Sequence, residues 1–407
     1  MMKLYDITEK PLKIYGLAVA DSEKRHFFRL PEEALERFPQ YGYLGRRAVG
    51  GRVRFQTDAK KLYVKMTLAG TKEDINIPLS GSAGADIYLG KGTEAAYLGY
   101  IAPKIHTEGE ITVEKTFDLT GEEVLVTINL PRNDHLLEMQ IGIEESAKLW
   151  EAPEYTVEKP IVFYGSSITE GGCAPRPGNA YTSIVSRWLD ADYRNMGFSG
   201  SARGEEDFAE YLAGFPEMSL FVMDYDHNSP SPEHLAETHA PFFEIIRKAH
   251  PDVPVLFLSR PDTDAEPEDS ICRRDVVHAT YEAAKRRGDE KIWFVDGHEL
   301  FGKIGRPECT VDGCHPNTLG FLRMAEQIYP VMQEMPSCSK SITVSLRLVS
   351  LSLSSFAFIP FRVFISCLTV NCSPLLACTS SIPRSMSSSC CSSCSSCRSM
   401  LIGIFSN

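Results

Sequence analysis

The sequence predicts a two-part α/β protein, an antiparallel β-sandwich or jelly roll over residues 1–150 followed by a parallel sheet covered on both faces by helices over residues 151–336. Three observations carry this. Apolar and polar residues alternate with period two through most of Leu12 to Glu145, as half-buried antiparallel strands require. After Pro153 and Pro160, short apolar runs alternate with helical stretches, the rhythm of βαβ units. From Ser337 to Asn407 there is no Asp or Glu and serine dominates, so a low-complexity tail is expected there.

In the first part Leu62, Val64, Met66 and Leu68 alternate with Tyr63, Lys65 and Thr67. Ile111, Val113 and Phe117, then Val124, Val126, Ile128 and Leu130, then Leu137, Met139, Ile141 and Ile143 follow the same period. Turn signals at Ala69-Gly70, Gly81-Ser82, Gly90-Lys91-Gly92 and Thr120-Gly121 separate them, at the close intervals of a sandwich or jelly roll. Only Pro31 to Phe38 reads as helix.

In the second part the strands are expected at Ile161–Tyr164, Tyr193–Gly197, Leu220–Tyr225, Val255–Ser259 and Ile292–Asp296. Helices are expected at Tyr181–Leu189, Glu205–Leu212, Pro232–His250, Glu268–Arg287 and Thr318–Tyr329, the last ended or kinked by Pro330. In the tail, Ser387–Ser399 reads SSSCCSSCSSCRS. Cys391, Cys394 and Cys397 have the spacing of metal ligands, but a Ser/Cys repeat reads as low complexity, an out-of-frame extension of the gene. Leu348–Phe361 is too short an apolar run, between Arg347 and Arg362, to span a bilayer.

The bulk composition, 43% apolar and 24% charged over 407 residues, is that of a soluble globular protein. A net charge of -12 argues against nucleic acid or an anionic membrane as partner. The amino terminus carries acids within its first ten residues and no apolar signal core, so a cytoplasmic location is expected. Only Cys173, Cys272, Cys309 and Cys314 precede residue 337; as free thiols they suit a reduced compartment. A strand edge or exposed β face leaves a homo-oligomer open.

Chemistry is expected at the carboxyl edge of the parallel sheet. Four stretches fall there: Gly165-Ser166-Ser167, Asn195-Met196-Gly197-Phe198-Ser199-Gly200, Asp224-Tyr225-Asp226-His227-Asn228, and Asp312-Gly313-Cys314-His315-Pro316. They supply a hydroxyl, a backbone N–H at glycine, a side-chain amide, and a His three residues after an Asp. A serine hydroxyl attacks poorly until an imidazole takes its proton, and the imidazole needs a carboxylate to fix its tautomer. Asp312 and His315 can meet within one tight turn. The plainer readings are a structural Gly-Ser turn, and Asn228 as cap of a helix starting near Pro230 or Pro232. Asp224, Asp226 and His227 with Asp296 and His298 offer metal ligands, but their spacing matches no strong template. Arg260, after the fourth strand, is a candidate substrate contact or a surface residue.

These four blocks, in this order, resemble those of SGNH/GDSL-type serine esterases over Lys159 to Tyr329. The resemblance implies a flavodoxin-like three-layer α/β/α hydrolase domain, with Ser167 as nucleophile, His315 as base and Asp312 as its orienting carboxylate. It implies an oxyanion hole from the N–H groups of Ser167 and Gly200 and the side chain of Asn228. Ser166 stands where the family has Asp, and Asp226-His227-Asn228-Ser229 replaces its Gly-x-Asn-Asp. Upstream, Gly84-Ala85-Asp86-Ile87-Tyr88 resembles the Gly-x-Asp-Leu-Tyr stretch of the β domain that precedes a subset of these enzymes. The expected function is hydrolysis of short-chain, first of all acetyl, esters on carbohydrates. No cofactor or metal is required, and the substrate is a small-molecule or oligosaccharide ester. Activity is expected to fall as pH drops through a histidine pKa of about 6 to 7. Two alternatives are a carbohydrate-binding protein with a degenerate hydrolase domain, and an acyltransferase using the same triad.

Overall fold

Alternation becomes sandwich geometry in the first part of the computed structural model, which describes residues 1–338. The readings made for Leu348–Phe361 and for the cysteine repeat lie outside the described residues. One antiparallel sheet runs in the order Met2–Asp6, Leu136–Glu144, Lys61–Leu68, Ile111–Asp118. The second runs Leu149–Glu151, Arg52–Thr57, Val124–Asn129, Ala85–Leu89, Ala96–Ile101, with Lys13–Tyr15 also paired to Arg52–Thr57. Leu62, Val64, Met66, Met139 and Ile141 of the first sheet share one buried core with Val53, Phe55, Ile87, Val126 and Ile128 of the second. The period-two residues are therefore the ones facing inward, as two packed sheets require.

The second part is a five-stranded parallel sheet. Its first strand, Val157–Gly165, lies between the second, Ala191–Gly197, and the third, Leu220–Asp224; Val255–Leu258 and Ile292–Val295 follow outward. This is the 2-1-3-4-5 order of flavodoxin-like sheets. Successive residues of the first strand serve opposite layers. Val162 and Tyr164 pack with Phe208, Phe242 and Val277 from helices Glu206–Ala213, Pro232–Ala249 and Pro267–Arg286. Ile161 and Phe163 pack with Ile184, Phe321 and Ile328 from Tyr181–Leu189 and Thr318–Gln333.

One expectation changes. Thr318–Gln333 runs on through Pro330. The carbonyl that loses its partner is that of Glu326, and both residues are exposed, so water replaces the missing N–H. The first part shares a core with the second. Phe28, Leu30, Leu35, Phe38 and Tyr41 join the core of the parallel-sheet layer, and the Tyr41 ring stacks on Phe198 at 4.1 Å.

The Gly-x-Asp-Leu-Tyr-like stretch explains part of that union. Asp86 is fully buried. It accepts from Asn129 Nδ2 (2.9 Å) within the sandwich and from the Gly178 N–H (3.1 Å) of the parallel-sheet part. Replacing it by alanine strands both donors, and each buried donor without a partner costs about 1–3 kcal/mol. Asp86→Ala is expected to lower unfolding free energy by about 2–4 kcal/mol in urea titration, and a loss below about 0.5 kcal/mol would show that Asp86 is not a structural tie.

Candidate active site

The first parallel strand ends at Gly165, which needs to be glycine: a Cβ there would lie 2.1 Å from Thr169 Oγ1 and 2.3 Å from the Asp224 carbonyl oxygen. Close approach lets the chain turn at once into the single helical turn Ser167–Glu170. Ser166 is its N-cap, its hydroxyl accepting from the Ile168 N–H at 3.1 Å. That use, common to Ser and Asp at N-caps, accounts for Ser at the position where Asp was the family residue, and it takes Ser166 out of the chemistry.

Ser167 Oγ lies 3.0 Å from His315 Nε2. On the other side of the ring, His315 Nδ1 is 2.9 Å from Asp312 Oδ2. Asp312 Oδ1 accepts the backbone N–H groups of His315 (2.8 Å) and Cys314 (3.1 Å). The turn thus fixes the carboxylate and the ring against each other through its own backbone. Burial pushes the Asp312 carboxyl upward, but these hydrogen bonds outweigh it and hold it below the ordinary carboxylate value.

Gly200, at φ +66°, sits in the left-handed region that glycine enters freely. Its loop is pinned from three sides. Phe198 N–H donates to the Gly165 carbonyl (2.9 Å), Asn228 Nδ2 donates to the Phe198 carbonyl (2.9 Å), and Ser199 gives both its N–H (2.8 Å) and its hydroxyl (2.5 Å) to Glu170 Oε2. Asn228 caps no helix: the cap of Pro232–Ala249 is Ser231. The structure therefore gathers the Ser167 turn, the Gly200 loop and Asn228 into one region.

Other expectations fare differently. Arg260 is buried and chelates Asp262 through Nε (3.0 Å) and Nη2 (2.6 Å), so it is neither a surface residue nor free for substrate. The supposed metal set does not assemble. Asp224 Oδ2 is held by Thr169 Oγ1 and Tyr181 OH, both at 2.7 Å, Asp296 caps a helix, and His298 meets Thr263. Cys309 and Cys314 are free thiols.

Three residues escaped the sequence reading. Asn76, from a loop of the first part, donates to Asp312 Oδ2 at 2.8 Å. Glu170 and Arg29 are both buried and form an ion pair at 3.2 Å. Arg29 also donates to the carbonyls of Asn195, Gly197 and Leu44. Burial lowers the Arg29 pKa to about 10, with Glu170 opposing. No local motif announces these contacts, because all but the Arg29–Leu44 bond pair residues more than a hundred positions apart.

Comparison with known proteins follows the same division. Residues 158–333 match the model of the GDSL-like lipase/acylhydrolase family, and residues 2–149 match that of the N-terminus of SGNH-hydrolase-type esterases. A candidate GDSL-like lipase from Bacteroides ovatus is similar at TM-score 0.71 and 26% identity, over 82% of this chain and 97% of that one. A salicylyl-acyltransferase from a tetracycline biosynthetic pathway is similar at 0.64 and 20%, over 80% and 95%. An acetyl xylan esterase from the rumen bacterium Butyrivibrio proteoclasticus is similar at 0.50 and 13%, over 82% and 98%. The last two are likenesses of fold. Curated proteins give no match.

Two predictions follow from the geometry. Removing the Glu170 carboxylate leaves Arg29 buried and uncompensated, which typically costs about 3–5 kcal/mol; urea unfolding of Glu170→Ala is expected to show it, and a loss under about 1 kcal/mol would contradict it. His315 is raised to about 9, first by the neighbouring Cys314 thiol, with burial opposing and its hydrogen bond to Asp312 adding to the rise. The imidazole accepts a proton only when neutral, so kcat/KM is expected to be lost as pH falls through about 9, not 6 to 7. Cys314→Ser, in metal-free buffer, should move that acid limb to lower pH. An unmoved limb would remove Cys314 from the account.

Proposed function

The chain belongs to the GDSL-like lipase/acylhydrolase family and carries the N-terminal domain of SGNH-hydrolase-type esterases, and from that premise we propose a serine esterase acting through an acyl-enzyme. One observation carries the reading: the hydrogen-bonded line from Ser167 Oγ through His315 to Asp312. In the first half-reaction Ser167 Oγ gives its proton to His315 Nε2 and attacks the ester carbonyl. Asp312, ionised throughout, stabilises the imidazolium through Nδ1. The oxyanion is held by the N–H groups of Ser167 and Gly200 and by Asn228 Nδ2, each such donor being worth a factor of about 10²–10³ in rate. His315 returns the proton to the departing alkoxide, and Ser167 is left acylated. Water then repeats the sequence, with His315 as base, and releases the acid.

The proposed substrate is a short acyl ester, acetyl first, on a carbohydrate, with the jelly-roll half as a wall of the site and the cytoplasm as the location. Asn76 supports the wall role, since it brings the first part to the catalytic carboxylate. Among the described residues no helix is long and apolar enough to cross a membrane. Acyl transfer to a sugar hydroxyl would use the same residues with an alcohol in place of water.

The test is acetate release from p-nitrophenyl acetate and from an acetylated xylo-oligosaccharide, compared with Ser167→Ala. Loss of a triad nucleophile costs on the order of a millionfold. Release abolished in a folded variant is expected. Activity that survives would contradict the mechanism, and acylated acceptor in place of free acetate would make the enzyme a transferase.

A further inference from the structure

Beside the triad, three potential ligand atoms converge from three different loops. His227 Nε2 lies 3.1 Å from Asp262 Oδ2 and 3.2 Å from Cys314 Sγ, and all three atoms are within 4.8 Å of one another. A tetrahedral zinc ion, with ligands at about 2.0–2.3 Å, separates them by about 3.2–3.7 Å. The two His227 separations already lie at the edge of that range, and the third, at most 4.8 Å, has to close by about an ångström or less.

Hydrogen bonding alone serves these atoms poorly. Nε2 carries either one hydrogen or one lone pair. If it donates to Asp262 it has nothing to give the sulfur, and if it accepts from the thiol it turns a lone pair toward a carboxylate. A cation between the three satisfies all of them. Asp262 is already oriented by Arg260, as outer-shell partners orient ligating carboxylates. The Arg260 charge is answered in turn by Asp269 at 3.0 Å. Asp226, next to His227 in the chain, adds a buried carboxylate whose Oδ1 has no partner among the described residues.

We propose that His227, Asp262 and Cys314 form a binding site for a divalent cation of the zinc class. Imidazole, carboxylate and thiolate together favour such an ion over magnesium or calcium, and a fourth position is left for water. The ion would clamp the loops that follow the third and fourth strands onto the turn carrying Asp312 and His315. A second group, Cys173, Asp312 and His315, also lies within 4.8 Å, but Asp312 and His315 are already engaged with each other and with Ser167.

The experiment is alkylation of the reduced full chain by iodoacetamide, with and without zinc, each cysteine followed by peptide mass mapping. Zinc is expected to slow modification of Cys314 at least tenfold and to leave the exposed Cys272 unchanged, and His227→Gln is expected to abolish the protection. Equal Cys314 rates with and without zinc would overturn the site. Protection that persists in folded His227→Gln would overturn it too, because Cys314 would then be shielded without the His227 ligand. Should that variant not fold, nitrogen-15 NMR of the histidine-labelled parent decides. A zinc-dependent shift of His227 Nε2 supports the site, and an unmoved resonance overturns it.

Discussion

The buried pair between Arg29 and Glu170 is the constraint on which the rest of the molecule depends. Glu170 closes the helical turn that begins with Ser167, and its second oxygen holds both the N–H and the hydroxyl of Ser199. Arg29 reaches it from the first part of the chain, lies over the Phe198 ring at 4.2 Å and takes the carbonyls at the end of the second parallel strand. Two charges taken out of water are a poor source of net stability. What they supply is registry: the Ser167 turn and the Gly200 loop can each take only the position that the other allows. The β-sandwich half is thus a structural participant in the site, with Asp86 and Asn76 as further points of attachment.

Electrostatics around Ser167, Asp312 and His315 join one short turn to a distant histidine. Asp312, Cys314 and His315 share one turn, and the thiol between the carboxylate and the imidazole is not inert. Burial pushes the Cys314 thiol up, but His227, with Nε2 at 3.2 Å from the sulfur, and the neighbouring His315 outweigh it and bring it to about 7. Cys173, buried at the same rim, goes the other way, pushed up to about 11 chiefly by burial. One cysteine is therefore set for ionisation and the other against it, within a single small region.

Most of the fold was legible because its determinants are local. Alternation between Leu62 and Leu68 foretells a strand, and the five apolar runs between Ile161 and Asp296 foretell the parallel sheet. Ser167, Asp312 and His315 were legible as a set, since a hydroxyl at a strand end and a His three residues after an Asp are chemically recognisable. The rest depends on pairings that only folding creates. Arg29 sits 141 positions from Glu170, and Asn76 sits 236 positions from Asp312. Arg260 read as a surface or substrate residue because nothing in sequence says that Asp262 folds back onto it. Pro330 read as a helix end because its exposure, which makes the lost hydrogen bond tolerable, is tertiary.

The central claim is that Ser167, and no neighbouring nucleophile, is activated by His315 and Asp312. It is tested most directly by treating the protein with a fluorophosphonate and locating the adduct by peptide mass mapping. The account predicts a single phosphonyl group on Ser167, lost in His315→Ala. An adduct on Ser166 or Cys314, or labelling of Ser167 at the same rate without His315, would contradict it.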